Sequence, residues 1–358
     1  MYKITVSIAF FLILLILPKI GFSQKFCYDV DLLFFFDNRE YHTPYSESQT
    51  LFKIRLSPTI GLKLNDKHEG VHKLMAGIHY LQPIGSTYRN LKFFPTIYYH
   101  YEYKNINGYF GTIPFVKMLQ PIPDYLMCDS VVYDYPNIQG GLIQYQSKHG
   151  FVEIQCDWRG QQTKTQREAY RLLLDGEYQY RILKIGGFLV LGHLANKSYP
   201  AKKDGVCDEL VVNPYIKLDF STLTPFRSFY IKSGYILSIS RERITESTFI
   251  KHGAEIELFL NWRFLGVKNT FYVGENLFPL YPNYASLLNR GSPYYQSKLY
   301  NRTDLFIYLY RNNFLNCYFS WNFHIVPKYK INHQQQLILC FSLDKMKQDK
   351  DLRGVFDK

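Results

Sequence analysis

Three polar side chains on one short stretch, Ser320, Asn322 and His324, have the residue types of a phospholipase-like triad. In such a site a serine oxygen attacks an ester carbon while an imidazole takes its proton. Alternate positions share one face of a strand, so nucleophile and base at this spacing can meet. A second polar group is Asp157-Trp158-Arg159-Gly160-Gln161-Gln162-Thr163 with Arg167-Glu168. Asp157, Arg171, Asp175 and Glu177 could converge near it, and paired carboxylates can do acid–base work. Tyr98, His100 and Glu102 share a further face, and His68, His72 and His79 lie in or beside a turn at 65–70.

Each of these has a plainer reading. Ser320, Asn322 and His324 also suit a wet wall lined with small polar groups, and we expect no catalytic residue among them. Opposite charges on one wall more often brace it or tune selectivity than react. His72 and His79 differ in parity, so no metal site is expected. Cys27, Cys128, Cys156, Cys207, Cys317 and Cys340 form no C-x-x-C pair and read as isolated small apolar residues. No nucleotide, zinc-protease or nucleophile-elbow motif is present, and no cofactor is expected.

The elements that hold these residues are strands. From Ile250 to Phe264, Ile250, Ala254, Ile256, Leu258, Leu260, Trp262 and Phe264 fall on one parity, against Lys251, Glu255, Glu257, Asn261 and Arg263 on the other. A strand sends such sets to opposite faces, whereas a helix would mix them. Phe52–Leu64, Leu210–Phe220 and Leu315–Ile325 repeat the pattern, the second setting Lys217 and Asp219 on its polar face. We place about sixteen strands (14–18), near the length that a tilted strand needs to span a bilayer. Tight connections at 105–108, 148–150, 265–266 and 311–313 contrast with long ones at 37–51, 119–137, 195–207 and 275–300.

The first residues read as an export signal. Lys3 is followed by the apolar run Val6–Leu17, then by Gly21-Phe22-Ser23. That order predicts a signal peptide at 1–23, with cleavage near Ser23–Gln24. The barrel would occupy 24–343, and the charged stretch 344–358 would be a tail. The rest of the chain has no apolar run long enough for a spanning helix, and a membrane chain without helices must close a barrel. Aromatic residues make up 18% of the 358 residues, 32 of them Tyr, which suits interfaces and wet lumens. The net charge of +12 is spread along the chain with no nucleic-acid module, so nucleic acid is not expected as a partner.

Several segments resemble a set of uncharacterised outer-membrane β-barrel proteins of Gram-negative anaerobes. They include Phe35-Phe36-Asp37-Asn38-Arg39-Glu40-Tyr41, Arg55-Leu56-Ser57-Pro58, Tyr98-Tyr99-His100-Tyr101, Asp157-Trp158-Arg159, Gly266-Val267-Lys268-Asn269-Thr270, Tyr294-Tyr295-Gln296 and Gln334-Gln335-Gln336. The resemblance implies the barrel and the outer membrane, and carries over no catalytic residue. The expected fold is therefore all-β, a single antiparallel transmembrane barrel. The expected lumen wall includes Arg171, Asp175, Glu177, Lys217, Asp219, Glu255, Glu257 and Arg263. The expected function is a non-enzymatic channel or surface component meeting outer-membrane lipid, lipopolysaccharide and small solutes. The alternatives are a barrel enzyme acting on lipid or lipopolysaccharide, and a soluble glycan-binding β-protein. An open axial path would favour the channel, and a filled lumen with a polar cluster opening to lipid would favour the enzyme.

Overall fold

The computed structural model describes residues 25–86, 90–199 and 205–343. The expected signal peptide and tail lie outside them. Within them, period-two patterning becomes sixteen antiparallel strands in one closed barrel. These are β1 (Lys25–Glu40), β2 (Gln49–Asn65), β3 (Val71–Pro83), β4 (Lys92–Tyr103), β5 (Ile106–Pro114), β6 (Asn137–Ser147), β7 (Gly150–Gly160) and β8 (Ala169–Tyr180). They continue as β9 (Leu183–Leu194), β10 (Cys207–Asp219), β11 (Ser228–Glu242), β12 (Ser247–Trp262), β13 (Leu265–Gly274), β14 (Leu299–Arg311), β15 (Leu315–Ile325) and β16 (Asn332–Ser342). Neighbours in sequence are neighbours in the sheet, and β16 closes on β1 through pairs such as Phe35 with Ile338.

The connections sort by rim. The turns 104–105, 148–149, 181–182 and 263–264 all lie at the rim where β1 starts and β16 ends. The strand ends joined by long connections, β5 to β6, β9 to β10 and β13 to β14, all lie at the opposite rim. Short turns on one side and long loops on the other are the asymmetry of outer-membrane barrels, whose long loops face outward.

One parity of each strand presents apolar side chains outward. Ile60, Leu74, Ile78, Ile97, Phe110, Ile256 and Trp321 are exposed, and together they give the wall the apolar belt that a bilayer requires. Leu258 has this outward parity on β12, between the buried Glu257 and Phe259. Leu258→Arg should cost about 2–4 kcal/mol if the site lies near the midplane. Reversible denaturation in lipid vesicles measures it, and a neutral substitution there would invert the facing of β12.

The other parity is buried, which an empty lumen would not allow. The reason is that 115–136 and 275–298 fold back into the barrel. Phe115, Ile122, Tyr125, Leu126, Met127, Leu277, Phe278 and Tyr295 pack in one cluster with inward residues of the wall, from Met75 on β3 round to Tyr300 on β14. The short helix α1 (Asp129–Asp134) carries Tyr133 to the remaining wall, where it stacks on Phe35 at 4.0 Å. The two segments also bond to each other, Cys128 N–H to Arg290 O and Ser292 N–H to Asp124 O. Of the two alternatives the sequence left open, an open or a filled lumen, the inward segments give the filled one. A polar cavity of about 100 Å³ remains, lined in part by Lys217, Lys232, Glu255 and Glu257.

Arg263 departs from the expected lumen wall. β12 ends at Trp262, and Arg263 is an exposed turn residue with φ 51°, its guanidinium 4.9 Å from the Trp262 ring. The alternation of β12 ends at Trp262, and in the tight turn that follows parity has no meaning.

Candidate functional site

The β2–β3 hairpin places Ser57 opposite His79. Leu56 pairs with Tyr80 and Thr59 with Gly77, so the two polar residues face each other across the hairpin on its inner side. His79 Nδ1 lies 2.6 Å from Ser57 Oγ, and Nε2 lies 2.8 Å from Asn137 Oδ1. The relative exposures of Ser57, His79 and Asn137 are 5%, 4% and 8%.

Their partners fix the proton positions. Asn137 Nδ2 donates to Pro95 O at 3.4 Å and to Thr96 Oγ1 at 3.3 Å. A proline carbonyl can only accept, so the amide nitrogen must point there and Oδ1 toward the imidazole. An amide oxygen also only accepts, so Nε2 carries the ring proton and Nδ1 presents its lone pair to the Ser57 hydroxyl. This assignment follows from the hydrogen-bond network. The result is a nucleophile in contact with a base, and a base oriented by a third group.

The site sits at a break in the wall. β4 pairs with β5 only from Tyr98 with Gly111 to Tyr103 with Ile106. Beyond Tyr98, β4 continues to Lys92 bonded to β3 alone, while Thr112–Pro114 bond to β6 alone. Gly111 has φ 125°, a conformation that favours glycine, and there β5 leaves β4. Asn137 has the outward parity of β6, yet its side chain reaches the inward-facing His79. The tip of the β5–β6 hairpin therefore leans into the barrel, with its outer face against the inner face of β2–β4. Asn137 bridges the resulting seam, and the Phe94 and Tyr135 rings meet beside it at 6.5 Å. Arg55, two residues before Ser57 on the same face, acts electrostatically on His79 and donates to Val132 O of α1 at 3.1 Å.

The residues singled out by sequence are placed differently. Ser320, Asn322 and His324 are buried on β15 but hydrogen-bond to other partners. Ser320 and Asn322 donate to Gln336 Oε1, at 3.2 and 2.9 Å. His324 Nδ1 meets Tyr300 Oη at 2.7 Å and its ring stacks on Tyr294 at 4.7 Å. No serine–histidine contact forms there.

Asp175, Arg171 and Glu255 hold the inward segments, and other charged wall residues pair along the wall. Gln120 donates to Asp175 at 2.7 Å, Arg171 Nη1 to Leu126 O at 2.9 Å and Tyr295 to Glu255 at 2.5 Å. Burial pushes the Tyr295 hydroxyl well above its ordinary pKa, and Glu255 adds to this. Glu257 bridges Lys232 and Lys268, at 3.4 and 2.9 Å. Lys184 lies between Glu177 at 3.6 Å and Asp219 at 3.1 Å, and Lys217 lies over the Tyr230 ring at 4.1 Å. His100 stacks on Tyr109 at 4.1 Å, and His72 bonds Asp66 at the turn. Among the described residues no three His, Cys, Asp or Glu side chains form a group that could hold a metal ion.

Arg302 ties β14 to the inward segment, with Asp304 at 2.8 Å on its own strand and Asp124 and Asp129 of the inward segment at 2.7 and 3.4 Å. Arg302→Met should destabilise the protein by about 3–5 kcal/mol, because it leaves buried carboxylates uncompensated. Denaturant unfolding measures this, and a loss below about 1 kcal/mol would show that the inward segment is held by packing alone.

Comparisons with known proteins bear on this region. Residues 21–195 match the lipid A 3′-O-deacylase-type family. That stretch runs from β1 through β9 and contains Ser57, His79 and Asn137. No curated protein matches the chain. In fold it is similar to OmpTΔL8, an outer membrane protein of Vibrio cholerae, with TM-score 0.56, 6% identity, and 89% of this chain and 99% of that one covered. It is likewise similar to Salmonella typhi OmpF, solved with daunomycin (TM-score 0.54, 10% identity, 89% and 98% covered), and to Pseudomonas putida OprB (0.51, 10%, 88% and 94%). At these identities the likeness is one of fold, and the fold is that of outer-membrane barrels.

Sequence reasoning missed Ser57 and Asn137 as site residues and put His79 beside the turn. One signal was available. A hairpin centred on the 65–70 turn brings 57 and 79 opposite each other, and both fall on polar parity. Asn137 carried no such signal, because it enters the site through the end of a long connection.

Proposed function

We propose that this protein is an outer-membrane ester hydrolase that removes an acyl chain from a lipid of the outer leaflet, with a lipid A-like glycolipid as the leading substrate class. The membrane would be the outer membrane of a Gram-negative bacterium, with the long-loop rim outward. The observation that carries the reading is the Ser57–His79–Asn137 chain of hydrogen bonds at an unpaired seam. The family match over the same residues supports it.

In the first half-reaction Ser57 Oγ attacks the ester carbonyl carbon as its proton passes to His79 Nδ1. Collapse of the tetrahedral adduct expels the alkoxide, which takes that proton and leaves as the alcohol. The acyl chain is then held on Ser57. Water attacks the acyl-enzyme, with His79 first accepting and then returning a proton, so free fatty acid and serine result. Asn137 holds the imidazole tautomer, and Arg55 is the cation placed to offset the developing negative charge. The substrate would enter between the free edge of β4 and the β5–β6 tip, which requires the Asn137 bridge to part.

The channel reading needs an axial path, and the two inward segments stand against it. The test is acyl release. Purified protein is reconstituted with lipid A-type glycolipid or with phospholipid, and the lipids are followed by mass spectrometry. Loss of one acyl chain from either lipid is expected. Intact lipids beside a correctly folded barrel would refute the proposal.

A further inference from the structure

Away from the seam, at the long-loop end of β7 and β8, two arginines of the inner wall meet a third from an inward segment. Arg159 lies one residue from the end of β7, and Arg171 pairs on β8 with Asp157. Arg290 comes from the inward segment 275–298 and reaches Asp157 Oδ2 at 3.4 Å. Arg171 and Arg290 both bear electrostatically on Arg159, and Arg290 on Arg171, so like charges crowd one place. Among the described residues the carboxylates that oppose Arg159 and Arg171 are Asp157 and Glu209, and each is already engaged. Asp157 Oδ1 accepts the Gln139 N–H at 3.0 Å, and Glu209 accepts from Asn289.

The donors are left over. Nε and Nη2 of Arg159, and Nε and Nη2 of Arg171, are buried and have no hydrogen-bond partner. Arg171 is only 5% exposed. Unsatisfied buried guanidinium donors are costly, and three cations against two carboxylates leave a positive excess. What relieves both is an oxyanion. A carboxylate presents two oxygens in one plane, whereas a phosphate presents up to four at tetrahedral corners and can meet forks from two strands with a third arginine above them.

We propose that Arg159, Arg171 and Arg290 form a binding site for a phosphate group at the outer mouth of the barrel. The phosphate could be free or carried on a lipid headgroup, since both present the same oxygens. The site is separate from Ser57 and does not depend on the hydrolase reading.

The test measures binding, not hydrolysis. Full-length protein in zwitterionic detergent is titrated calorimetrically with inorganic phosphate, and in parallel with micellar phosphatidic acid against phosphatidylcholine. The expected result is saturable phosphate binding, weakened at least about tenfold in Arg159→Gln, a side chain that bonds none of the inward segment. Lys164→Gln, an exposed cation on the same rim, should leave binding unchanged. Binding of phosphatidic acid with the same Arg159 dependence identifies a headgroup site. Binding of inorganic phosphate alone identifies a free-anion site. No binding of either, or binding that Arg159→Gln leaves intact, overturns the proposal and assigns the four donors to water.

Discussion

Ser57→Ala should lower acyl-ester hydrolysis by about 10³-fold or more while the barrel stays folded. His79→Ala should fall about as far. The double variant should be no worse than either single one, because a nucleophile without its base and a base without its nucleophile fail alike. Asn137→Leu removes the group that holds the tautomer and should cost about 10²-fold. Ser320→Ala serves as the contrast. That hydroxyl donates to Gln336 and touches no histidine, so activity should be unchanged. Rates are measured on one lipid preparation with matched amounts of folded protein. Additive losses at Ser57 and His79 would make the pair a structural hydrogen bond.

The second large effect concerns the filled lumen. Wild-type protein in a planar bilayer should give no discrete conductance steps. Replacing 117–134 by a short Gly-Ser linker should give them. That segment carries the Gln120, Leu126 and α1 anchors, and its removal leaves inward charges such as Asp175, Arg171 and Arg302 facing water. Wild-type steps as large as those of the shortened protein would mean that the inward segments do not block the pore. The channel reading would then return.

The barrel was legible in the sequence because its physics is local. Period-two alternation at Ile250–Phe264 or Leu315–Ile325 needs no distant partner to be read, and about sixteen strands with a continuous apolar face favour a closed antiparallel wall over a soluble sandwich. On β12 the alternation appears as buried Glu255 and Glu257 beside the half-buried Leu258.

The site was legible only in part. Ser320, Asn322 and His324 share one face of one strand, as i and i+2 neighbours do. The contacts that form instead cross from β2 to β3, and then to the far end of a connection at Asn137. The filling of the lumen was also hidden. The segments 115–136 and 275–298 show no regular period. Their inward course depends on pairings such as Arg302 with Asp124 and Tyr295 with Glu255, which join residues far apart in sequence. Arg263 shows the opposite case, a periodic pattern that the turn ends.

The central claim is that Ser57 is an activated nucleophile, and covalent labelling tests it most directly. Folded protein in lipid is treated with a long-chain fluorophosphonate, and the modified peptide is identified by mass spectrometry. The account expects the adduct on Ser57 in the wild type and none on Ser57 in His79→Ala. An unlabelled Ser57, or equal labelling with and without His79, would contradict it.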